Sequence, residues 1–251
     1  MSILTNAADV LRCFGTGCAD LTVTGVSERL GLPKASVSRL LRAMQEAGML
    51  ETIADTRSYR PGRTMLDLAA AFRRSSGVIG SASAAVVRVS RTFGHTGYVS
   101  ILDGREVTAV ADFEGTNALR VVSNIGMRHP ARQTATGRTL LSRLSDRELL
   151  KLYADAAEVE TLKSELAAVR MQGYALSHQE ATRGVDSIAV AVADPTTNEA
   201  VSLCIVYPNS AVTEAERDTM IAALGDGAAQ IAEALGDDAF HLPNIDNRVV
   251  T

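Results

Sequence analysis

Between Glu28 and Glu46 the chain carries Arg29, Lys34, Arg39 and Arg42 and no acidic side chain. Between Asp55 and Arg74 it carries Arg57, Arg60, Arg63 and Arg73 against Asp67 alone. Cations at this density neutralise phosphates, and a guanidinium also reads the edge of guanine. Ala35, Ser36 and Ser38 are interleaved with the first cluster. On a helix, side chains this small let the backbone sink into a major groove while Lys34 and Arg39 reach past them. Arg42, Arg57 and Arg60 suit phosphates better than bases. A solvated surface is the competing explanation, and two basic clusters flanking one short apolar module weaken it.

Catalytic chemistry has no comparable footing. The sequence contains no G-x-S-x-G, P-loop, G-x-G-x-x-G or H-E-x-x-H pattern. His95, His129, His178 and His241 are scattered without metal-ligand spacing. Cys13, Cys18 and Cys204 are an odd number and form no C-x-x-C pair, which fits a reduced compartment better than a disulfide framework or a zinc site. No base lies near Cys204 in sequence, and the paired carboxylates Asp237-Asp238 fall where a polar tail is expected. No catalytic residue, metal ligand or cofactor is therefore expected.

The elements that must hold the cations follow from periodicity and punctuation. Thr5 can cap a helix through Cys13, with Ala7, Val10, Leu11 and Phe14 at helical spacing and Gly15 and Gly17 after it. Thr22 can cap a short helix that Gly31 stops. Leu32-Pro33 opens a third, with Val37, Leu40, Leu41 and Met44 as its apolar stripe, ended at Gly48. Short helix, glycine turn and basic longer helix make a helix-turn-helix. Met49 to Ile53, a turn at Ala54-Asp55-Thr56 and Arg57 to Arg60 make a β-wing that Pro61-Gly62 closes. A linking helix follows, and Ser75-Ser76-Gly77 breaks the chain.

From Val78 to Phe93 a further helix turns Ile79, Ala82, Val86 and Val89 inward. Tyr98 to Leu102 and Glu106 to Phe113 form a hairpin around Asp103-Gly104. Leu119 to Val122 reads as a strand and Ile125 to Ala131 as a loop. Ala135 to Leu144 is helical, and Ser145 to Glu148 is a capping box opening another helix. Val159 to Met171 is a helix stopped at Gly173. Tyr174 to Ser177, Ser187 to Ala193 and Ala200 to Tyr207 are strands. A second capping box at Thr213 to Glu216 opens a terminal helix reaching about Leu235. The expected fold class is α+β with two domains: a winged helix-turn-helix over 1–62, a linker over 63–76, a mostly antiparallel sheet with surrounding helices over 77–236, and a tail over 237–251.

Composition agrees. The 251 residues are 46% hydrophobic and 22% charged, a globular balance. The net charge is −4, yet residues 1–75 carry ten basic and seven acidic side chains, so the acidity lies in the remainder. Such a split marks one segment as the part facing nucleic acid. No apolar run approaches the roughly 20 residues that cross a bilayer, and the start lacks a basic and apolar leader. A cytoplasmic protein without membrane contact is expected.

In order and spacing, these motifs resemble the IclR-type bacterial regulators from about Ile3 to Leu235. The resemblance is carried by Leu30-Gly31-Leu32-Pro33-Lys34-Ala35-Ser36-Val37-Ser38-Arg39-Leu40-Leu41, by Tyr59-Arg60-Pro61-Gly62, by Gly126-Met127-Arg128-His129-Pro130 and Thr134-Ala135-Thr136-Gly137-Arg138, and by Gly173-Tyr174-Ala175-Leu176-Ser177, Glu180, Gly184 and Val185-Asp186-Ser187. It implies a GAF-like sensor domain behind the DNA-binding domain. It implies a homodimer, commonly a dimer of dimers, on a palindromic operator in double-stranded DNA. It also implies a small carboxylate effector held by the helix start at Ala135, Thr136 and Gly137 and by Ser177, Ser187, Cys204 and Val206 on strands. The chain departs from the hydroxy- and keto-acid sensors, which place an acid near Ser177, a cysteine near Ser187 and serines at Cys204 and Val206. One wall is then less polar, which favours an aromatic or longer apolar acid. The family's usual lysine at Arg138 and proline near Ala191 are also missing.

Three classes of function compete. A ligand-responsive regulator, with repression the expected sign, uses both domains. An enzyme acting on a small organic acid with a helical docking module lacks any catalytic motif. A structural DNA binder leaves the larger domain without a task.

Overall fold

The structure, a computed structural model, describes residues 2–14, 18–121 and 128–245, with the side chain of Arg73 excepted. The chain divides into two compact units, Met1–Ser75 and Ser76–Thr251.

The first unit is built on α1 (Ile3–Phe14), α2 (Val23–Leu30) and α3 (Lys34–Glu46). Ser2 rather than Thr5 tops α1, its hydroxyl accepting from the Thr5 N–H at 3.1 Å. Thr22 caps α2 by accepting from the Gly25 N–H, and Gly31 ends it at φ 65°, a left-handed turn that glycine adopts without strain. Ser27 donates to the Leu32 carbonyl at 2.7 Å and ties the turn between α2 and α3. Val37, Leu40, Leu41 and Met44 of α3 are buried against Val10, Val26 and Leu50. The wing strands β2 (Leu50–Thr52) and β3 (Ser58–Pro61) pair antiparallel, and a third strand, β1 (Leu21–Thr22), joins β3 on its other side. That strand is two residues long, too short to leave a period in the sequence. Gly62 must be glycine, because a methyl there would stand 2.2 Å from the Gly48 carbonyl oxygen. The helix α4 (Arg63–Ser75) completes this unit.

The second unit contains α5 (Gly77–Phe93) and a six-stranded antiparallel sheet. Its strands are β4 (Thr96–Asp103), β5 (Glu106–Phe113), β6 (Arg128–Pro130), β7 (Ala175–His178), β8 (Val185–Asp194) and β9 (Glu199–Pro208), in the order β6-β5-β4-β9-β8-β7. The helices are α6 (Ala135–Ser142), α7 (Asp146–Tyr153), α8 (Ala156–Gln172) and α9 (Glu214–Leu235). Both capping boxes form, at Ser145 with Glu148 and at Thr213 with Glu216. Alternation along β8 and β9 divides the core. Ile188, Val190, Val192, Leu203 and Ile205 pack with α5 and α9 on one face. Ala189, Ala191 and Cys204 turn to the face that carries α6 and α8.

Four further expectations need correction. The hairpin turn sits one residue later than Asp103-Gly104, because Asp103 and Glu106 are themselves paired. Of the expected strand from Leu119 to Val122, residues 119–121 are not in a strand, with Leu119 59% exposed, and Val122 lies outside the described residues. Arg128-His129-Pro130 is not a loop but the edge strand β6 on β5, with Pro130 at its end, where a missing N–H costs nothing. Within the expected tail, residues 237–245 are docked on the sensor unit rather than free. Asp237 is 7% exposed, pairs with Arg143 and accepts from the Ala193 N–H at 2.9 Å. The Asn244 N–H donates to the Gln172 carbonyl at 2.8 Å, and Pro243 fills the space over Gly225. Gly15, Gly17, Gly126 and Met127 lie outside the described residues, as do 246–251.

Candidate functional site

The first unit presents a cationic face. Lys34, Ala35, Ser36, Arg39 and Arg42 are exposed on α3, and Ser38 is half-buried. Among the described residues, Lys34, Arg39, Arg42 and Arg57 make no ion pair, so their charge is available to an outside anion. Arg60 is engaged differently: its guanidinium pairs with Glu51 at 3.1 Å on the neighbouring wing strand. Glu51 also accepts from the Arg63 N–H, and the Arg60 contact holds its carboxyl below the usual range. Arg57 sits exposed at the wing tip beside Asp55, whose φ is 58°. The α3 frame thus presents small side chains and uncompensated cations on one face and a buried apolar stripe on the other.

The second unit holds a partly open cavity of about 140 Å3 between α6 and the sheet. Five of the residues singled out in sequence line it: Thr136, Ser177, Ser187, Cys204 and Val206. The other two do not. Ala135 is fully buried in the small cluster with Ala189 and Cys204. Gly137 packs against Ala131, where a methyl would stand 2.0 Å from the carbonyl oxygen. Thr134 caps α6 by accepting from the Gly137 N–H at 2.9 Å. On the α6-facing side Ser187, Ala189 and Cys204 are smaller than Ile188, Val190, Leu203 and Ile205 on the opposite face, which leaves room for the cavity. Ser177 donates to Glu180 at 2.9 Å, and Glu180 in turn pairs with Arg138 at 2.7 Å.

The model of the IclR helix-turn-helix domain matches residues 3–54, and that of the bacterial transcriptional regulator IclR C-terminal domain matches residues 71–233. The chain belongs to the IclR family. The regulator XynR of Escherichia coli K12 is 30% identical over 246 residues, covering 92% of this chain and 95% of that protein. The transcriptional repressor AllR of the same strain is 25% identical over 225 residues, 86% of this chain and 83% of that one. An IclR homolog from Microbacterium hydrocarbonoxydans, complexed with 4-hydroxybenzoate, superposes with a TM-score of 0.74 at 19% identity, over 94% of this chain and 100% of that one. The resemblance read from the motifs is thereby confirmed. As an IclR-family transcriptional regulator, the chain has a DNA-binding helix-turn-helix and a C-terminal domain that binds small-molecule effectors.

The chemistry of the IclR cavity is neutral hydrogen bonding. Burial pushes the Cys204 thiol up to about 11, against hydrogen bonds to Thr136 and Ser187 that pull it down. At neutral pH it is a protonated thiol, unfit as a nucleophile. No group of three or more His, Cys, Asp or Glu that could hold a metal occurs among the described residues. No helix among them is long and apolar enough to cross a membrane.

Tyr98, Ser100, Thr134 and His129, none of them among the site residues singled out in sequence, also line the cavity. Tyr98 lies directly across from Cys204 in the β4–β9 ladder, and His129 across from Val107 in the β5–β6 ladder. Cross-strand neighbours share a face, so the ladder would have found them. The first ladder joins segments about a hundred residues apart and the second segments about twenty apart, and no local period reports either.

Proposed function

We propose that this regulator is a repressor whose operator affinity is set by a small carboxylate with an aromatic body, bound between α6 and the sheet. The cavity carries the reading. Its volume, about 140 Å3, resembles that of an engineered apolar cavity of about 150 Å3 that takes benzene. Val107, Ala109 and Val206 supply an apolar wall for a ring, while Thr136, Ser177 and Ser187 supply hydroxyls. The positive end of α6 suits the carboxylate. The bound 4-hydroxybenzoate of the Microbacterium homolog supports a one-ring acid, and the AllR repressor supports the sign.

On the DNA side, Lys34, Ala35, Ser36, Ser38 and Arg39 enter the major groove while Arg42 and Arg57 neutralise phosphates. Arg60 reaches a phosphate only by giving up Glu51. One such helix reads few base pairs, so the working unit is a homodimer on a palindromic site, itself paired through the sensor units. Exposed Ile3 and Leu4 on α1 and Leu66, Leu68 and Phe72 on α4 give apolar surface for the first pairing. Effector binding biases the placement of the two wings through α4, and does so only by favouring one arrangement over the other.

The test is a thermal-shift screen of the full chain with ring acids, including 4-hydroxybenzoate, against short aliphatic acids. Operator binding is then read by gel shift with and without the stabilising acid. Ring acids raise Tm and weaken operator binding, and Ser187→Val weakens their effect about tenfold by removing one charge-assisted hydrogen bond. Arg39→Ala costs about tenfold in operator affinity. Stabilisation by aliphatic acids alone removes the aromatic body. Operator binding strengthened by the acid makes the protein an activator, and unchanged binding by Arg39→Ala refutes the α3 assignment.

A further inference from the structure

Cys13 in α1 and Cys18 ahead of β1 both contact one cation, Arg29. Cys13, in the last turn of α1, is 6% exposed. Cys18, half-buried, packs against the same apolar core. Arg29 of α2 donates from Nη2 to the Cys18 Sγ at 2.7 Å and from Nη1 to the Cys13 carbonyl oxygen at 3.1 Å. The same guanidinium also hydrogen-bonds the Cys13 thiol. That thiol in turn donates to the Asp9 carbonyl at 3.3 Å. If Arg29 served only to cap α1, the carbonyl contact would suffice and the sulfur contact would add nothing.

We propose that Cys13 and Cys18 are a hydroperoxide-sensitive dithiol that closes to a disulfide and lowers operator affinity. A partly exposed sulfur beside an arginine is the setting in which cysteines react with oxidants. Cys18 is that sulfur. Burial pushes the Cys13 thiol up, with Arg29 opposing, which makes Cys13 the slower, resolving partner. The Cys18 sulfur attacks one oxygen of a hydroperoxide. The S–O bond forms, the O–O bond breaks, and the leaving alkoxide or hydroxide takes the thiol proton. Cys13 then attacks the Cys18 sulfenic acid. The S–S bond forms, the S–O bond breaks, and hydroxide leaves with the Cys13 proton as water. Two thiols lose two electrons and the hydroperoxide gains them.

The disulfide takes both sulfurs away from Arg29 and draws in the last turn of α1. Cys13 and Val10 of that turn share one core with Val26, Val37 and Leu41, so the shift reaches the helix that faces DNA. Transient disulfides of this kind occur in reducing compartments as sensors.

The experiment treats the reduced full chain with hydrogen peroxide, maps its thiols by mass spectrometry, and measures its affinity by anisotropy on a duplex selected with the reduced protein. Expected are a Cys13–Cys18 link, two hydrogens lost from the intact mass, Cys204 still a free thiol, and affinity down about fivefold or more, recovered with dithiothreitol. Cys18→Ser keeps the reduced protein's affinity and loses the response. Arg29→Gln slows the link. Should either variant melt early, the rate of alkylation in the native parent decides instead, with Cys18 labelled before Cys13 and Cys204. Three thiols surviving peroxide, oxidation halting at a sulfinic acid on Cys18, a linked protein of unchanged affinity, or Cys204 labelled first would each overturn the proposal.

Discussion

His95 stands between α5 and β4, 6% exposed, with its ring 5.8 Å from that of Tyr207. Burial lowers its pKa from the usual 6.5, and Glu216 pulls weakly the other way. The sign follows from proton counting. Below 6.5 the unfolded chain takes up a proton that the folded chain refuses, so stability present above that pH is lost as the pH falls through the folded pKa. Urea unfolding between pH 7.5 and 5.5 should show the parent losing stability and His95→Gln losing less; parallel losses would place the acid sensitivity elsewhere. Asp237 is a second residue with a large single effect. Its carboxylate side chain is 4% exposed and its partner Arg143 16%. Removing one member of a buried pair strands the other, so Asp237→Ala should cost about 3 kcal/mol in a denaturant titration.

At the scale of elements, α6 forms one wall of the proposed effector cavity, and two residues position α6. Thr134 satisfies its first turn. Gly137 lets that turn lie against the Ala131 backbone. Gly137→Ala should cost about 3 kcal/mol of stability and weaken effector binding, read by melting with and without ligand. An equal loss of operator affinity in the absence of effector would show that the damage is not confined to the sensor unit. Elements of this kind were legible in sequence wherever their signals are local. Thr22, Gly31, Ser145 with Glu148, and Thr213 with Glu216 each act within one helical turn. Elements defined by distant partners were not. β6 is a strand only because Val107 and Thr108 are there to pair with it, and β1 only because β3 is. The cavity was half legible. Thr136, Ser177, Ser187, Cys204 and Val206 came from the family pattern, while Tyr98 and His129 needed the ladders.

Over the whole molecule, the sequence separates charge by unit, basic in the first 75 residues and acidic afterwards. An acidic sensor unit is repelled from the phosphate backbone that the first unit seeks, which keeps binding confined to the helix-turn-helix. The apolar residues left on the first unit test the proposed pairing. Leu68→Glu, at a position 58% exposed, should cost the isolated fold little, shift the sedimentation coefficient towards monomer and lower operator affinity. An unshifted boundary would place the dimer contact off α4.

The docked residues 237–245 bear on the order in which the chain is completed during synthesis. The DNA-binding unit has all its parts once residue 75 is made, and domains generally fold as they emerge, N-terminal first. The sensor unit cannot finish so early. Until Asp237 arrives, Arg143 at the end of α6 lacks its counter-charge and the Ala193 N–H its acceptor. A chain grown only to Gly236 therefore has every residue of its DNA-binding unit, while its sensor unit still lacks the Arg143 pair, the Ala193 acceptor, the Asn244 hydrogen bond to Gln172 and the Pro243 cover over Gly225.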